Sequence, residues 1–194
     1  KESSAASDVY KRQVMNPLDI IAKYYPVGSE AYRILVIHSR SVADKALAIA
    51  RMHPEMNLDL TFVEEAAMLH DIGIFRCNAP DIDCHGDAEY ICHGYLGAEL
   101  MRAEGYPRHA RVCERHTGTG ITLAMIEERG LPLPHRDFMP ETLEEQLICY
   151  ADKFYSKTKL DKEKSVEKVK QGLSKYGNET VERFDNWCKL FLGE

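Results

Sequence analysis

The sequence predicts an all-α protein, a single-domain bundle of about seven to nine helices. From Met15 onward, apolar residues recur every three or four positions, which is the spacing of one helix face. No stretch shows the strict apolar–polar alternation of an exposed strand. The chain has 194 residues, 44% of them hydrophobic, so one domain can bury a core without disulfides or a structural metal.

Capping residues and prolines set the bounds of the first predicted helices. Ser29 begins a helix that Pro54 ends. Asp59 or Thr61 begins the next helix, and Glu64 would complete a capping box with Thr61. These signals place two helices in the first third of the chain.

The rest of the chain is predicted to contain one long loop followed by more helices. Residues 75–90 lack a helical period and are interpreted as the loop. Further helices are predicted at about 91–104, 107–117, 121–129 and 142–157. Thr142 and Glu145 form a second capping box. A C-terminal helical pair, about residues 160–194 and broken at Gly177, is expected to pack on the bundle.

The two ends of the chain differ in character. Residues 1–14 are polar and aperiodic, and we expect them to be a non-native or disordered leader before a natural start at Met15. Residues 15–194 are then the domain. Near the other end, an apolar stripe of Trp187, Leu190 and Phe191 is expected to lie in the core or at a homodimer contact.

Composition restricts the expected partners and location. Lys and Arg number 25 against 31 Asp and Glu, a net charge of −6. This balance predicts no nucleic-acid partner and no binding to acidic membranes. No apolar stretch approaches the ~20 residues of a membrane span. The six cysteines include no Cys-x-x-Cys pair, so we expect reduced thiols and a cytoplasmic protein.

Four histidines and two aspartates form the pattern with the clearest chemical content. In chain order they are His38, His70, Asp71, His93, His116 and Asp152, separated by 32, 1, 22, 23 and 36 positions. Imidazole and carboxylate groups together suit divalent metals such as iron, manganese, zinc and nickel. If the six side chains converge, they suffice for two ions, and an Asp beside a His can bridge them.

The sequences around these residues resemble the HD phosphohydrolase superfamily, which is named for an adjacent His-Asp pair. Residues 67–73 read Ala-Met-Leu-His-Asp-Ile-Gly, the signature in its His-Asp-Ile-Gly form. Four further segments are similar to the rest of the pattern, at residues 37–43, 93–100, 115–118 and 150–153. The match runs in the expected order from about residue 30 to 158.

The resemblance implies an HD-type helical bundle with a dinuclear metal site, because members with both intervening histidines bind two metals. Asp71 would bridge the ions. The remaining ligands would divide into His38, His70 and Asp152 around one ion and His93 and His116 around the other. The implied cofactors are two divalent ions, first iron or manganese, with zinc, nickel or magnesium as alternatives.

The function implied by the resemblance is a metal-dependent phosphohydrolase, a phosphomonoesterase or phosphodiesterase. Its expected substrate is a small phosphorylated molecule, a nucleotide or dinucleotide. Asp71 and His70 would be catalytic, since a hydroxide held between two metals is a nucleophile directed at phosphorus.

Two other functions are compatible with the same six ligands. A few superfamily members are di-iron oxygenases, which place a Tyr and a Glu just before the first His. Here Tyr32 and Glu30 stand at neighbouring but unmatched positions, which favours the hydrolase. The third function is a non-catalytic regulatory module that binds metal or nucleotide. Such modules usually lose ligands, and no ligand is missing here.

Three residues are candidates for contact with a substrate. Arg115 and Lys153 are each adjacent to a predicted ligand, which places them at the rim of the site. His85 lies in the long predicted loop, where it could meet the substrate or protonate a leaving group.

Overall fold

The computed structural model describes residues 15–193, which form nine α-helices and one two-stranded sheet. The helices are α1 (Pro17–Tyr24), α2 (Glu30–Met52), α3 (Leu60–Leu69), α4 (His93–Ala103), α5 (Pro107–Arg115), α6 (Leu123–Arg129), α7 (Leu143–Asp152), α8 (Val166–Leu173) and α9 (Asn178–Leu192). The predicted all-α class is confirmed for these residues. None of their helices combines the length and apolar character needed to cross a bilayer.

The predicted division of the chain stays a prediction. The proposed leader, residues 1–14, lies outside the described residues. Within them, α7 contacts the C-terminal helix α9 directly, because the ring of Tyr150 stacks on that of Phe184 at a centroid distance of 5.2 Å. This contact joins the C-terminal helices to the rest of the bundle.

Helix α1 has no counterpart among the helices predicted above. Its start is set by Asn16, whose side chain accepts a hydrogen bond from the first turn. Just after its end, the buried hydroxyl of Tyr25 donates to the carbonyl of Ile72 at 2.8 Å. The same hydroxyl accepts a hydrogen bond from the backbone N–H of Phe75 at 3.1 Å. The segment that follows Asp71 is therefore tied to the end of α1.

Helices α2 and α3 follow the predicted bounds closely. Ser29 caps α2, and the helix ends before Pro54 as predicted. Asp59 caps α3 through a hydrogen bond from the third residue after it. The capping box predicted between Thr61 and Glu64 is wrong, because Asp59 takes the cap position and Thr61 already lies within the helix.

Helix α7 begins as predicted but ends earlier. The capping box between Thr142 and Glu145 is present in both directions. The helix was expected to reach residue 157, whereas it ends at Asp152 and the chain continues in turns. Because the chain leaves the helical path there, Lys157 comes to lie beside Asp71.

The loop predicted at residues 75–90 contains short turns and a small sheet. Strands β1 (Asn78–Ala79) and β2 (Cys84–His85) pair antiparallel, with Asn78 opposite His85. The turn Tyr90–Cys92 then leads directly into α4. The loop is therefore an ordered connection that delivers His93 to the first position of a helix.

Gly73 brings the His-Asp segment into direct contact with α4. A Cβ atom at this position would lie 2.2 Å from the carbonyl oxygen of His93 and 2.4 Å from the backbone nitrogen of Gly97. Such distances are shorter than any real Cβ contact, so only glycine fits. The close approach of the two backbones places Asp71 next to His93.

Candidate metal centre

The six predicted ligands converge on Asp71. Five helices place them, with His38 in α2, His70 directly after α3, His93 first in α4, His116 directly after α5 and Asp152 last in α7. They form two groups that share Asp71, and the donor atoms of each group lie within 4.8 Å of one another. All of the ligands are buried except Asp152, which is half-buried.

The first group surrounds the Oδ2 atom of Asp71. His38 Nε2 lies 3.1 Å from this oxygen and 3.0 Å from Oδ1 of Asp152. His70 Nε2 lies 3.1 Å from the same Asp71 oxygen and 3.3 Å from Asp152 Oδ1. Two imidazole nitrogens and two carboxylate oxygens therefore face one small volume.

The second group surrounds the other oxygen, Oδ1, of Asp71. His93 Nε2 and His116 Nε2 lie 3.3 Å and 3.2 Å from it. The two Nε2 atoms are 3.0 Å apart. Asp71 thus presents one oxygen to each group.

Backbone carbonyls orient three of the imidazole rings. In each ring Nδ1 donates to the carbonyl oxygen three residues earlier, at 2.6 Å for His70, 2.6 Å for His93 and 2.7 Å for His116. Because Nδ1 is engaged, Nε2 of each ring is directed toward the centre, where a metal-bound imidazole presents its lone pair. In that form the lone pairs of His93 and His116 face each other, and a cation between them would remove the repulsion.

The centre contains buried atoms whose bonding capacity is unmet. Neither Oδ1 of Asp71 nor Nε2 of His70 has a hydrogen bond of acceptable geometry within the described residues. Buried polar atoms nearly always have a partner. Donor atoms about 2.1 Å from one ion and at right angles to each other lie about 3.0 Å apart, close to the 3.0–3.3 Å contacts of this centre. The residues therefore fit a divalent metal.

The two carboxylates create a negative potential at the centre. Burial lowers the pKa of His70, but Asp71 and Asp152 outweigh burial and raise this pKa to about 9. Burial would raise the pKa of Asp71, yet His70 and Lys157 hold it well below its usual range. Burial lowers the pKa of His116 to about 4, so that this ring is neutral. The carboxylates favour positive charge, and a divalent ion can supply it in place of protons.

Two lysines reach the carboxylates from the segment after α7. Lys157 Nζ lies 2.5 Å from Oδ2 of Asp71. Lys153 Nζ lies 2.8 Å from Oδ2 of Asp152 and also donates to the carbonyl of His116 at 2.9 Å. Lys157 was absent from the predicted site. The available signal was the run of eight lysines between residues 153 and 175 in an acidic chain.

A cleft of about 830 Å³ adjoins the centre. Asp152 and Lys157 line it and also belong to the contacts just described. Three other cleft lysines, Lys164, Lys168 and Lys175, come from the chain beyond α7. The metal centre is therefore accessible from a surface rich in positive charge.

The three residues predicted to contact a substrate are placed differently. Lys153 lines the cleft. Arg115 pairs with Glu141 at 2.8 Å, and His85 is exposed on β2 with its Nε2 3.1 Å from Asp83. Neither Arg115 nor His85 is among the residues that line the cleft. Their roles stay predictions.

The fold and the centre together define a helical domain that gathers His and Asp donors from five helices. The HD domain family matches residues 35–156. This chain belongs to the HD domain family. HD domains bind divalent metals, and this chain has the His/Asp clusters that could hold one.

Three similar proteins extend the comparison beyond the family. A protein of Thermoplasma volcanium named tRNA (cytidine(56)-2′-O)-methyltransferase is 33% identical over 140 residues, which are 72% of this chain and 35% of that protein. One of the same name from Picrophilus torridus is 31% identical over 171 residues, 83% of this chain and 44% of its own length. An uncharacterized protein of Methanocaldococcus jannaschii is 37% identical over 128 residues, 64% of this chain and 68% of its own length. No solved structure matches this chain.

The names of the Thermoplasma and Picrophilus relatives contradict the predicted function. They describe methyl transfer to a tRNA, so the expectation of a phosphohydrolase acting on a small phosphorylated substrate is wrong. The expectation of no nucleic-acid partner is wrong for the same reason. A ligand set determines where cations bind but does not determine the partner. The net charge of −6 is a sum over the whole chain, whereas binding depends on the local field.

Proposed function

We propose that this chain is a metal-binding and tRNA-binding HD domain that acts in tRNA 2′-O-methylation. The observation that carries this proposal is a buried His/Asp centre adjoining a lysine-lined cleft, in a chain whose relatives are named tRNA methyltransferases. The chain spans less than half the length of those two relatives. We therefore propose that this chain binds the metal and the tRNA, which is one part of tRNA 2′-O-methylation.

The proposal includes two divalent ions that share Asp71, in the six-ligand pattern of the His-Asp-Ile-Gly subgroup. The support is that Oδ2 faces His38 and His70, while Oδ1 faces His93 and His116. Nitrogen and oxygen donors in this proportion suit iron or manganese. Bound ions would supply positive charge for phosphate oxygens. The residues that would hold the ions are the four histidines and two aspartates of the two ligand groups.

A cytoplasmic location is part of the same proposal. Five cysteines of the described residues, Cys77, Cys84, Cys92, Cys113 and Cys149, are free and buried. Burial raises the pKa of the Cys77 thiol and of the Cys84 thiol to about 11. Unpaired thiols of this kind are typical of a reducing compartment.

Metal-dependent tRNA binding tests the proposal. The chain is stripped with a chelator and reloaded with Mn²⁺, and its affinity for an unmodified tRNA transcript is measured by fluorescence anisotropy. We expect binding at least about tenfold tighter with Mn²⁺ than with chelator, a difference of about 1.4 kcal/mol. His93→Gln should reduce this difference, because it removes one ligand of the centre.

His135→Gln is the matched control, because His135 is exposed and its side chain lies outside both ligand groups. This variant should keep the metal dependence of the unaltered chain. Absence of tRNA binding under both conditions would contradict the proposal. Equal binding with and without metal would contradict the role of the centre.

A further inference from the structure

The cleft beside the metal centre is positively charged although the chain is acidic. Five lysines line it, namely Lys153, Lys157, Lys164, Lys168 and Lys175. Only two aspartates, Asp81 and Asp152, line it with them. Because the chain carries a net charge of −6, this concentration of lysines is local. Such a surface attracts an anion.

Three of these lysines have no carboxylate partner within the described residues. Lys164 donates to two backbone carbonyls, and no ion pair is found for Lys168 or Lys175. Burial lowers the pKa of Lys164, Asp152 raises it in part, and the nearby ammonium groups of Lys153, Lys157 and Lys168 lower it further. These four lysines are thus close enough to repel one another. An anion in the cleft would relieve the repulsion.

The arrangement of charge on α8 distinguishes the cleft from the rest of the surface. Lys168 and Lys170 lie on this helix, two residues apart. Lys170 pairs with Asp185 at 2.6 Å, whereas Lys168 lines the cleft. The charge of Lys170 is neutralised by Asp185, whereas the charge of Lys168 remains available for a ligand in the cleft.

An exposed aromatic ring lies in the same cleft. Tyr176 is 54% exposed and lines the cleft next to Lys175. A second ring, Tyr90, is 38% exposed and lines the cleft together with Lys157. Lysines combined with exposed aromatic rings are typical of surfaces that bind single-stranded nucleic acid, where phosphates meet the cations and bases stack on the rings.

We propose that the cleft binds an unpaired segment of the RNA backbone, which passes from the metal centre along α8. Lys164, Lys168 and Lys175 contact successive phosphates, and Tyr176 stacks on a base. These residues lie beyond residues 35–156, the part that matches the HD domain family, so α8 and the segments on either side of it supply the surface. The inference rests on the proposed function, because it takes tRNA as the ligand.

The salt dependence of tRNA binding tests the phosphate contacts. The Mn²⁺-loaded full chain is compared with the double variant Lys168→Gln/Lys175→Gln, in which both altered side chains are exposed and outside the core. On a single strand, each lost phosphate contact should reduce the slope of log affinity against log salt by about 0.7, so the double variant should lose about 1.4. Lys170→Gln is the control on the same helix and should leave the slope unchanged.

Variants of Tyr176 test the stacking contact independently. Tyr176→Leu should weaken tRNA binding at least about fivefold, whereas Tyr176→Phe should retain it. Equal loss in both variants, or no loss in either, would overturn the stacking contact. Circular dichroism confirms that each variant is folded.

Two further outcomes separate the possible failures. If the unaltered chain binds tRNA in a metal-dependent way but the double lysine variant keeps the full slope, the inference is overturned and the proposed function stands. If no tRNA binds at all, both are overturned. A mononucleotide that displaces tRNA at equal phosphate concentration would identify the ligand as a free nucleotide and would also overturn the RNA assignment.

Discussion

Asp71 is the residue on which the metal centre depends. It is fully buried, four imidazole nitrogens lie within 3.3 Å of its two oxygens, and Lys157 contacts one of them. A buried carboxylate is costly without compensating positive charge. In this centre the compensation comes from His70 and Lys157, and the same site can accept a metal ion instead.

Replacement of Asp71 by Asn should remove most of the metal affinity. The change keeps the shape of the side chain but removes the charge that both ligand groups share, so we expect at least about a hundredfold weaker Mn²⁺ binding by calorimetry. Asp81→Asn is the control, because Asp81 lines the cleft but lies outside the ligand groups.

The double variant Asp71→Asn/Lys157→Met tests the role of Asp71 if the single variant does not fold. Asp71→Asn leaves the buried ammonium of Lys157 without its partner, which is destabilising, and Lys157→Met in addition removes that charge. If the folded double variant binds Mn²⁺ as tightly as the unaltered chain, Asp71 is not a ligand.

At the scale of elements, contacts between backbones bring the ligands together. Gly73 lets the His-Asp segment lie against the start of α4, and Gly94 lets α4 lie against α5, since a Cβ there would be 2.5 Å from the carbonyl of Cys113. These two contacts set the distances from Asp71 to His93 and His116. The glycine of the His-Asp-Ile-Gly motif therefore has a packing role rather than a chemical one.

Substitution of Gly73 by Ala should destabilise the fold and weaken metal binding together. The added methyl group meets backbone atoms that cannot move aside, so we expect a loss of about 1–3 kcal/mol in the free energy of unfolding. Gly172→Ala is the control, because no atom lies within 4 Å of a Cβ there and Ala favours the helix. Urea titration measures both variants, and equal stability of Gly73→Ala and the unaltered chain would refute the packing role.

For the whole molecule, metal binding should be coupled to stability. The ligands come from five helices that are distant in sequence, so an ion at the centre links elements that separate on unfolding. An ion that binds only the folded chain stabilises it by about 2.7 kcal/mol at a hundredfold excess over the dissociation constant.

We therefore expect Mn²⁺ to raise the melting temperature by about 5–10 °C above its value in chelator. The measurement is a pair of circular-dichroism melts of the same preparation. His93→Gln should show a smaller rise, since it removes one ligand. Identical melting curves with and without Mn²⁺ would show that the centre holds no metal in the folded chain.

Local signals in the sequence predicted most elements and the ligand set. The caps Ser29 and Thr142 predicted the starts of their helices, because a capping hydrogen bond involves residues only two or three apart. The His and Asp positions predicted a metal centre because donor chemistry is a property of residue types. The capping box at Thr61 was mispredicted because Asp59, two residues earlier, competes for the same role.

Only the tertiary structure decided what surrounds the centre. Lys157 is beside Asp71 because α7 ends five residues earlier than expected, and Lys168 faces the cleft while Lys170 does not. The net charge led to the wrong prediction that no nucleic acid binds. A net charge does not say where in the folded chain the positive and negative side chains lie. The sequence by itself determined which atoms can bind a cation. The packing of α8 and its flanking segments decided where lysines without a carboxylate partner come together. Electrostatic binding depends on distances between residues that are far apart in the chain, and only the tertiary structure sets those distances.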